Sequence, residues 1–187
     1  MSAIETLFEG EPIRAAVCAL PEAMLRELRS DHAGELGAVW IYRGVLAVAR
    51  DPVLRAFAQA HEAAEQAHLD FFLQELPAQW HSKLAPLWRI AGFLLGALPA
   101  FLGPGAVYRT IAAVEAFVDE HYQLQIDMLE GRERYAWLRD RLIAFRADEL
   151  HHRDDALART GTGAGTGLWR WLVHNGSVAG AMLARRI

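Results

Sequence analysis

Cysteine is nearly absent: Cys18 is the only one in 187 residues. One thiol cannot close a disulfide within the chain, nor build a four-cysteine zinc, rubredoxin or iron–sulfur site. Any metal must therefore rest on histidine and carboxylate. An excess of basic residues is also missing. With 19 Lys and Arg against 23 Asp and Glu, the formal charge is -4, and no cationic stripe offers itself to a phosphate backbone, so no nucleic-acid partner is expected. The opening MSAIETLFEGE lacks both the basic start and apolar core of a secretion signal and the arginine-rich, acid-poor character of a transit peptide, which places the expected protein on the cytoplasmic side. Alternating strand patterns are missing throughout, so the expected fold is all-α. What is abundant is apolar surface: 53% of residues are hydrophobic and 22% charged, which excludes disorder, and the length suits a single domain over residues 1–187.

Helix signals divide the chain. Pro21-Glu22 starts an apolar-periodic stretch that runs to Ala49; Asp51-Pro52 caps a second, ending before Pro77. A third runs from after Gly105 to about Glu130, and a fourth from Arg132 to about Arg159, separated by Gly131. Between the second and third lies the uncharged run from Ile90 to Tyr108, flanked by Arg89 and Arg109. Its length suits a bilayer span, but Pro99 and Gly103-Pro104-Gly105 are expected to break it short of the ~20 helical residues a span needs. An apolar helical hairpin at 86–103, lying in a membrane surface or buried, fits better. A Gly/Thr linker at 161–167 then leads to an apolar C-terminal helix at 168–187.

Each long helix brings a glutamate into apolar surroundings: Glu35, Glu65, Glu115 and Glu149. Two of them open a Glu-x-x-His pair, Glu65 with His68 and Glu149 with His152, and positions i and i+3 share a helix face, so both members of a pair can hold one cation. The spacing repeats. Glu35 and Glu115 are 80 positions apart, while Glu65 and Glu149, like His68 and His152, are 84 apart. Two single glutamates and two Glu-x-x-His pairs turned inward in a four-helix bundle, residues 22–160, form the ligand set of ferritin-like di-iron and di-manganese carboxylate proteins. Four carboxylates balance two divalent ions, and the imidazoles complete sites that leave room for oxygen. One Glu-x-x-His alone is an ordinary solvated helix face. Four acids set among Val39, Tyr42, Phe72, Val118, Tyr122 and Phe145 are not, because an unpaired buried carboxylate is costly.

These residues resemble the demethoxyubiquinone hydroxylases, di-iron monooxygenases of ubiquinone biosynthesis. The likeness is carried by DHAGELGAVWIYRG (31–44), EQAH (65–68), PLWRIAGFLLGAL (86–98), TIAAVEAFVDEHY (110–122) and FRADELHH (145–152). It implies a ferritin-like fold, two iron ions per chain held by Glu35, Glu65, His68, Glu115, Glu149 and His152, and hydroxylation of the ring of a polyprenyl methoxy-benzoquinol with O₂. It also places His121 and Tyr122 beside metal and quinone as a redox relay; on the residues alone, a tyrosine packed in the core is an equal reading of Tyr122. Glu120 stands where many relatives carry histidine, and His61 where an apolar residue is common. His61 is a partner of a ligand, a spare ligand or a core histidine. Asp31 and Asp119, one turn from ligand glutamates, either hold a ligand imidazole or are solvated.

A polyprenyl substrate partitions into lipid. The segment 86–103 with Trp80 and Trp88, and the C-terminal helix with Trp169, Trp171, Arg185 and Arg186, are the expected contacts with a membrane surface; burial between subunits of a homo-oligomer is the alternative. Gly176-x-x-x-Gly180 permits close helix approach but is too common to indicate a dimer. The competing functions are a ferritin-like oxidase with another substrate and non-catalytic iron binding, and the uncharged run argues against a storage cage.

Overall fold

A computed structural model describes residues 13–160 and 166–187, and all regular elements among them are helical. The helices are α1 (Ile13–Cys18), α2 (Glu22–Val48), α3 (Pro52–Glu75), α4 (Ala85–Leu102), α5 (Pro104–Leu129), α6 (Ala136–Arg159) and α7 (Thr166–Ala184). The all-α bundle expected from the periodicity is thus observed, with boundaries within a few residues of the cap signals. Asp51 accepts from the Leu54 amide at 2.8 Å, one turn into α3, and so satisfies one of the amides a helix start leaves unpaired. Most of the expected 161–167 linker, residues 161–165, lies outside the described residues. The short α1 carries no signal that the periodicity argument had used.

Helices α2, α3, α5 and α6 form the bundle, with α2 against α3 and α5 against α6; α4 and α7 lie across the outer side of α2 and α5. The order is therefore three layers: α3 and α6, then α2 and α5, then α4 and α7. Two apolar cores bracket the middle of the bundle. One gathers Tyr42, Leu54, Phe57, Tyr108 and Ile111; the other gathers Leu28, Phe72, Tyr122, Leu138 and Phe145. Fully burying a side chain of this size contributes about 1.5–3 kcal/mol, and together the two cores fix what lies between them.

The apolar insert differs in detail from its sequence reading. Pro99 does not end α4, which continues to Leu102. A proline near the end of a helix removes a single backbone bond, and here Pro99 is buried. The chain reverses instead at Gly103, whose φ of 102° is open to glycine and strained for other residues, so the hairpin is made by α4 and the start of α5. By length and composition α4 could cross a membrane, yet one of its faces is committed to protein. A Cβ on Gly92 would lie 2.3 Å from the Gly37 carbonyl oxygen, one on Gly96 1.9 Å from that of Ile41, and one on Gly44 2.1 Å from that of Phe93. Helices α2 and α4 touch backbone to backbone at these glycines.

Candidate metal centre

The four glutamates and two histidines meet between the two cores. Burial leaves Glu35, Glu65, His68, Glu115, Glu149 and His152 each 4% exposed or less. Ligand atoms of Glu35, Glu65, His68 and Glu149 lie within 4.8 Å of one another, and so do those of Glu65, Glu115, Glu149 and His152. Glu65 and Glu149 belong to both groups, and each remaining residue to one. Two helices from each half of the chain bring this about, since the 80- and 84-residue offsets place the same residues at the same height on α2 and α5, and on α3 and α6.

The contacts inside the cluster are those of atoms aimed at a common third partner. His68 Nδ1 is 3.0 Å from Glu149 Oε1 and 3.6 Å from Glu35 Oε2, and His152 Nδ1 is 3.0 Å from Glu65 Oε1. Despite that proximity, His68 Nδ1, Glu35 Oε2, Glu65 Oε1 and Glu149 Oε1 are buried without a hydrogen-bond partner. Two ligand atoms bonded at about 2.1 Å to one cation, at right angles, sit about 3 Å apart. Electrostatics agree. Burial, and then the neighbouring carboxylates, push Glu65 and Glu115 well above the usual carboxylate range. Burial opposes the charge on His68 and Glu149, yet the nearby Glu149 and Glu35 carboxylates raise the His68 imidazole, and His152 and then His68 lower the Glu149 carboxyl. Left to itself the cluster must protonate; a divalent cation in each group removes the repulsion. The donor set thus fits metal, and its oxygen-rich chemistry suits hard divalent ions.

Outside the cluster, each half holds the other. Tyr122, seven positions after Glu115, donates its hydroxyl to Glu35 Oε1. Tyr42, seven after Glu35, donates to Glu115 Oε1 at 3.5 Å. Burial and the adjacent carboxylates push both phenols well up, which keeps the hydrogen on each oxygen. His68 Nε2 lies 3.1 Å from Asp148 Oδ2, a partner that sequence reasoning missed although it immediately precedes Glu149.

Neither aspartate considered for that task performs it. Asp31 accepts from His121 Nε2 at 3.0 Å and from Gln125 at 2.7 Å, while Asp119 is engaged by Arg146 and Arg153. Helical phase is the reason, because a residue one turn from the cluster can face a neighbouring helix instead. His61 stays outside both four-residue groups; its ring packs edge-on against His152 with centroids 4.4 Å apart, and its Nε2 lies 3.1 Å from Asp155 Oδ2. Glu120 is exposed.

A cavity of about 410 Å³ opens from the cluster. It runs between the α2–α5 layer and the α4–α7 layer, and its walls are largely apolar apart from Asp31, the four glutamates, His121 and Tyr122. Trp88, expected at a membrane interface, lines this cavity and donates its indole hydrogen to Ser82 at 2.8 Å. Trp80 is likewise turned toward protein, beneath the Arg29 guanidinium. Among the described residues no atom lies within 4 Å of a Cβ placed on Gly176, and one on Gly180 meets the Trp88 ring at 3.7 Å. Both line the cavity, so on α7 the small residues create space instead of contact.

Known proteins share this arrangement of sequence. The chain is 41% identical to the 3-demethoxyubiquinol 3-hydroxylase of Rhodospirillum rubrum over 139 residues, 72% of this chain and 64% of that protein. It is 39% identical to the NADPH-dependent 3-demethoxyubiquinone 3-hydroxylase, mitochondrial, of Mus musculus over 140 residues, again 72% and 64%. The Caenorhabditis elegans protein of that name is 30% identical over 180 residues, 92% of this chain and 96% of its own length. The chain thus spans just under two thirds of the first two relatives. The sequence pattern of the family described as ubiquinone biosynthesis protein COQ7 matches residues 22–184, which include all six clustered residues, and the chain belongs to that family.

Proposed function

We propose that this chain is a di-iron monooxygenase of ubiquinone biosynthesis, which hydroxylates the ring of a polyprenyl methoxy-benzoquinol and so takes demethoxyubiquinol to demethylubiquinol. One observation carries the reading: a largely apolar cavity ends on four buried glutamates, which cluster with His68 and His152. Glu35, Glu65, His68 and Glu149 would hold one iron, and Glu65, Glu115, Glu149 and His152 the other, with Glu65 and Glu149 shared. Bound iron supplies the activation of O₂, one atom of which enters the ring while the other leaves as water, at a cost of two electrons and two protons. The names of the mitochondrial relatives point to a reduced pyridine nucleotide as the electron source.

The protein's own part is binding, orientation and exclusion of water. Gly34, Gly37 and Ala38 of α2 line the cavity beside Glu35, so a flat ring can approach the cluster past small side chains. The apolar walls from α4 and α7 keep water away from the reacting face and suit the first units of a prenyl tail. Tyr122 and Tyr42 hold the single glutamates in place, and His121 with Tyr122 forms the polar end of the cavity where quinol oxygens would lie.

The outer stripe of α4, Leu87, Ile90, Leu94, Leu98 and Phe101, is 45–74% exposed. This stripe would rest in the membrane surface on the cytoplasmic face as a peripheral, monotopic contact. Trp171 and Leu168, 59% and 71% exposed on α7, would join it or pack in a homo-oligomer.

The full chain loaded with ferrous iron is expected to bind two irons and, under ¹⁸O₂ with a short-tailed demethoxyubiquinol, to give a product carrying one labelled oxygen by mass spectrometry. Two bound irons with no labelled product would overturn the substrate assignment. Gly176→Leu, which fills the cavity away from the cluster, should keep both irons and lower kcat/KM on the order of a hundred-fold.

A further inference from the structure

The internal repeat relates a polar pair to an apolar one. At the 80-residue offset that relates Glu35 to Glu115, Asp31 corresponds to Ile111 and His121 to Ile41. Both isoleucines are buried in one apolar core. Each pair draws one residue from α2 and one from α5, so the repeat places two aliphatic side chains, Ile41 and Ile111, where its other copy places the hydrogen-bonded acid–imidazole pair of Asp31 and His121. Burying such a pair is no better for stability than burying hydrocarbon of similar volume, so packing does not account for it.

The pair begins a chain of contacts that leads out of the cavity wall. His121 Nε2 lies 3.0 Å from Asp31 Oδ1. On its other edge, His121 Nδ1 is 3.4 Å from an Arg185 guanidinium nitrogen, and Arg185 Nε is 2.8 Å from both carboxylate oxygens of Glu27 on α2. Arg185 is the first residue beyond α7, the outer wall of the cavity. Near the other end of α7, the Trp169 indole donates to Thr110 Oγ1 on α5 at 2.9 Å. The helix is thus pinned by polar contacts at both ends, with the small residues Gly176, Gly180 and Ala181 facing the cavity between them. A guanidinium only donates hydrogen bonds, so the Nδ1 it meets must offer a lone pair, which leaves the ring hydrogen on Nε2 facing Asp31.

We propose that Arg185 is a positioning residue for this site: one contact closes α7 over the cavity by gripping Glu27, and the other fixes His121 as the tautomer that donates from Nε2 to Asp31. The substrate wall and the polar end of the cavity are then set by a single side chain. A ligand entering beside α7 disturbs both together. The proposal rests on the cavity being the quinol site, and its test separates the two.

Arg185→Leu, which keeps an apolar stem and removes every donor, is compared with the natural full chain, each loaded with zinc(II) so that resonances stay sharp. In the natural protein ¹⁵N spectra of labelled histidine should show His121 with its hydrogen on Nε2. The substitution should convert it to a mixture of tautomers and speed amide exchange across residues 166–184 about ten-fold, with metal content unchanged. Glu27→Gln should speed that exchange while leaving the His121 tautomer in place. With iron and quinol, Arg185→Leu should raise KM more than it lowers kcat. An unchanged His121 spectrum or unchanged α7 exchange in Arg185→Leu would overturn the proposal, even in a protein that hydroxylates quinol. Both changes in a protein that turns over no quinol would instead uphold the positioning role and sink the substrate reading.

Discussion

The two Glu-x-x-His halves of the cluster carry the same ligands in different surroundings. At the 84-residue offset, Phe145 packs on His68 and His61 packs on His152, both with ring centroids 4.4 Å apart. His68 has the Asp148 carboxylate on its outer nitrogen; the residue corresponding to Asp148 in the other half is Ala64, which has no carboxylate to offer His152. The comparison separates two kinds of constraint. Charge balance in the buried cluster is demanded equally of both halves, so the glutamates and histidines repeat. The surroundings answer to whatever lies behind each half, and those neighbours differ.

The most severe test of that equivalence compares shared with unshared carboxylates. Glu65→Ala or Glu149→Ala removes a residue common to both groups, and metal analysis of the purified chain should find neither iron retained and turnover lost. Glu35→Ala or Glu115→Ala should retain about one iron per chain. Equal loss from all four would show that the division into shared and unshared ligands is wrong.

A smaller effect distinguishes the imidazoles. Asp148→Asn weakens the acceptor that orients His68, and should lower affinity in that half by roughly 10–100-fold, read by competition with a chelator. Asp155→Asn, which reaches the other half only through His61, should cost less. If Asp155→Asn proved the more damaging, the ranking of the two surroundings would be reversed.

The mildest effect is on stability against acid. Burial, then the neighbouring His152, pulls His61 down to about 4, and burial pulls His32 down to about 4 as well. Both pKa values fall below the ordinary 6.5, so the unfolded chain takes up protons first. The stability these groups contribute is complete above pH 6.5 and is lost as pH falls toward 4. In the metal-free chain the raised Glu65 and Glu115 carboxyls act in the opposite sense, so the readout is a difference: the Tm of His61→Phe, which copies the Phe145 half, should gain on that of the natural chain as pH falls from 6.5 toward 4.

Much of the centre was legible because helix periodicity is a strict ruler. Glu65 with His68 and Glu149 with His152 had to share faces, and matched offsets had to bring the halves to one level once the helices packed. The partners of those ligands were less legible. Asp148 lies on the shoulder of α6, and only the approach of α3 shows that it reaches His68. Asp31 was a reasonable candidate by spacing, but the rotation of α2 turns it to His121. The same limit applied to α4, where composition fitted either a membrane surface or burial, and tertiary contact gave one face to α2 through Gly44, Gly92 and Gly96.

The scarcity of cysteine had already confined any metal to nitrogen and oxygen donors, and the spacing of glutamate and histidine then pointed to six candidates that the fold gathers in one cluster. These conclusions need only local geometry, which the chain carries wherever it is placed. Tertiary structure alone decided which carboxylates are shared, that Tyr122 and Tyr42 cross over to hold the opposite glutamates, and that α7 stands off far enough to leave a cavity. Those depend on distances between segments remote in sequence, and such distances are set when side chains of different helices compete for the same space.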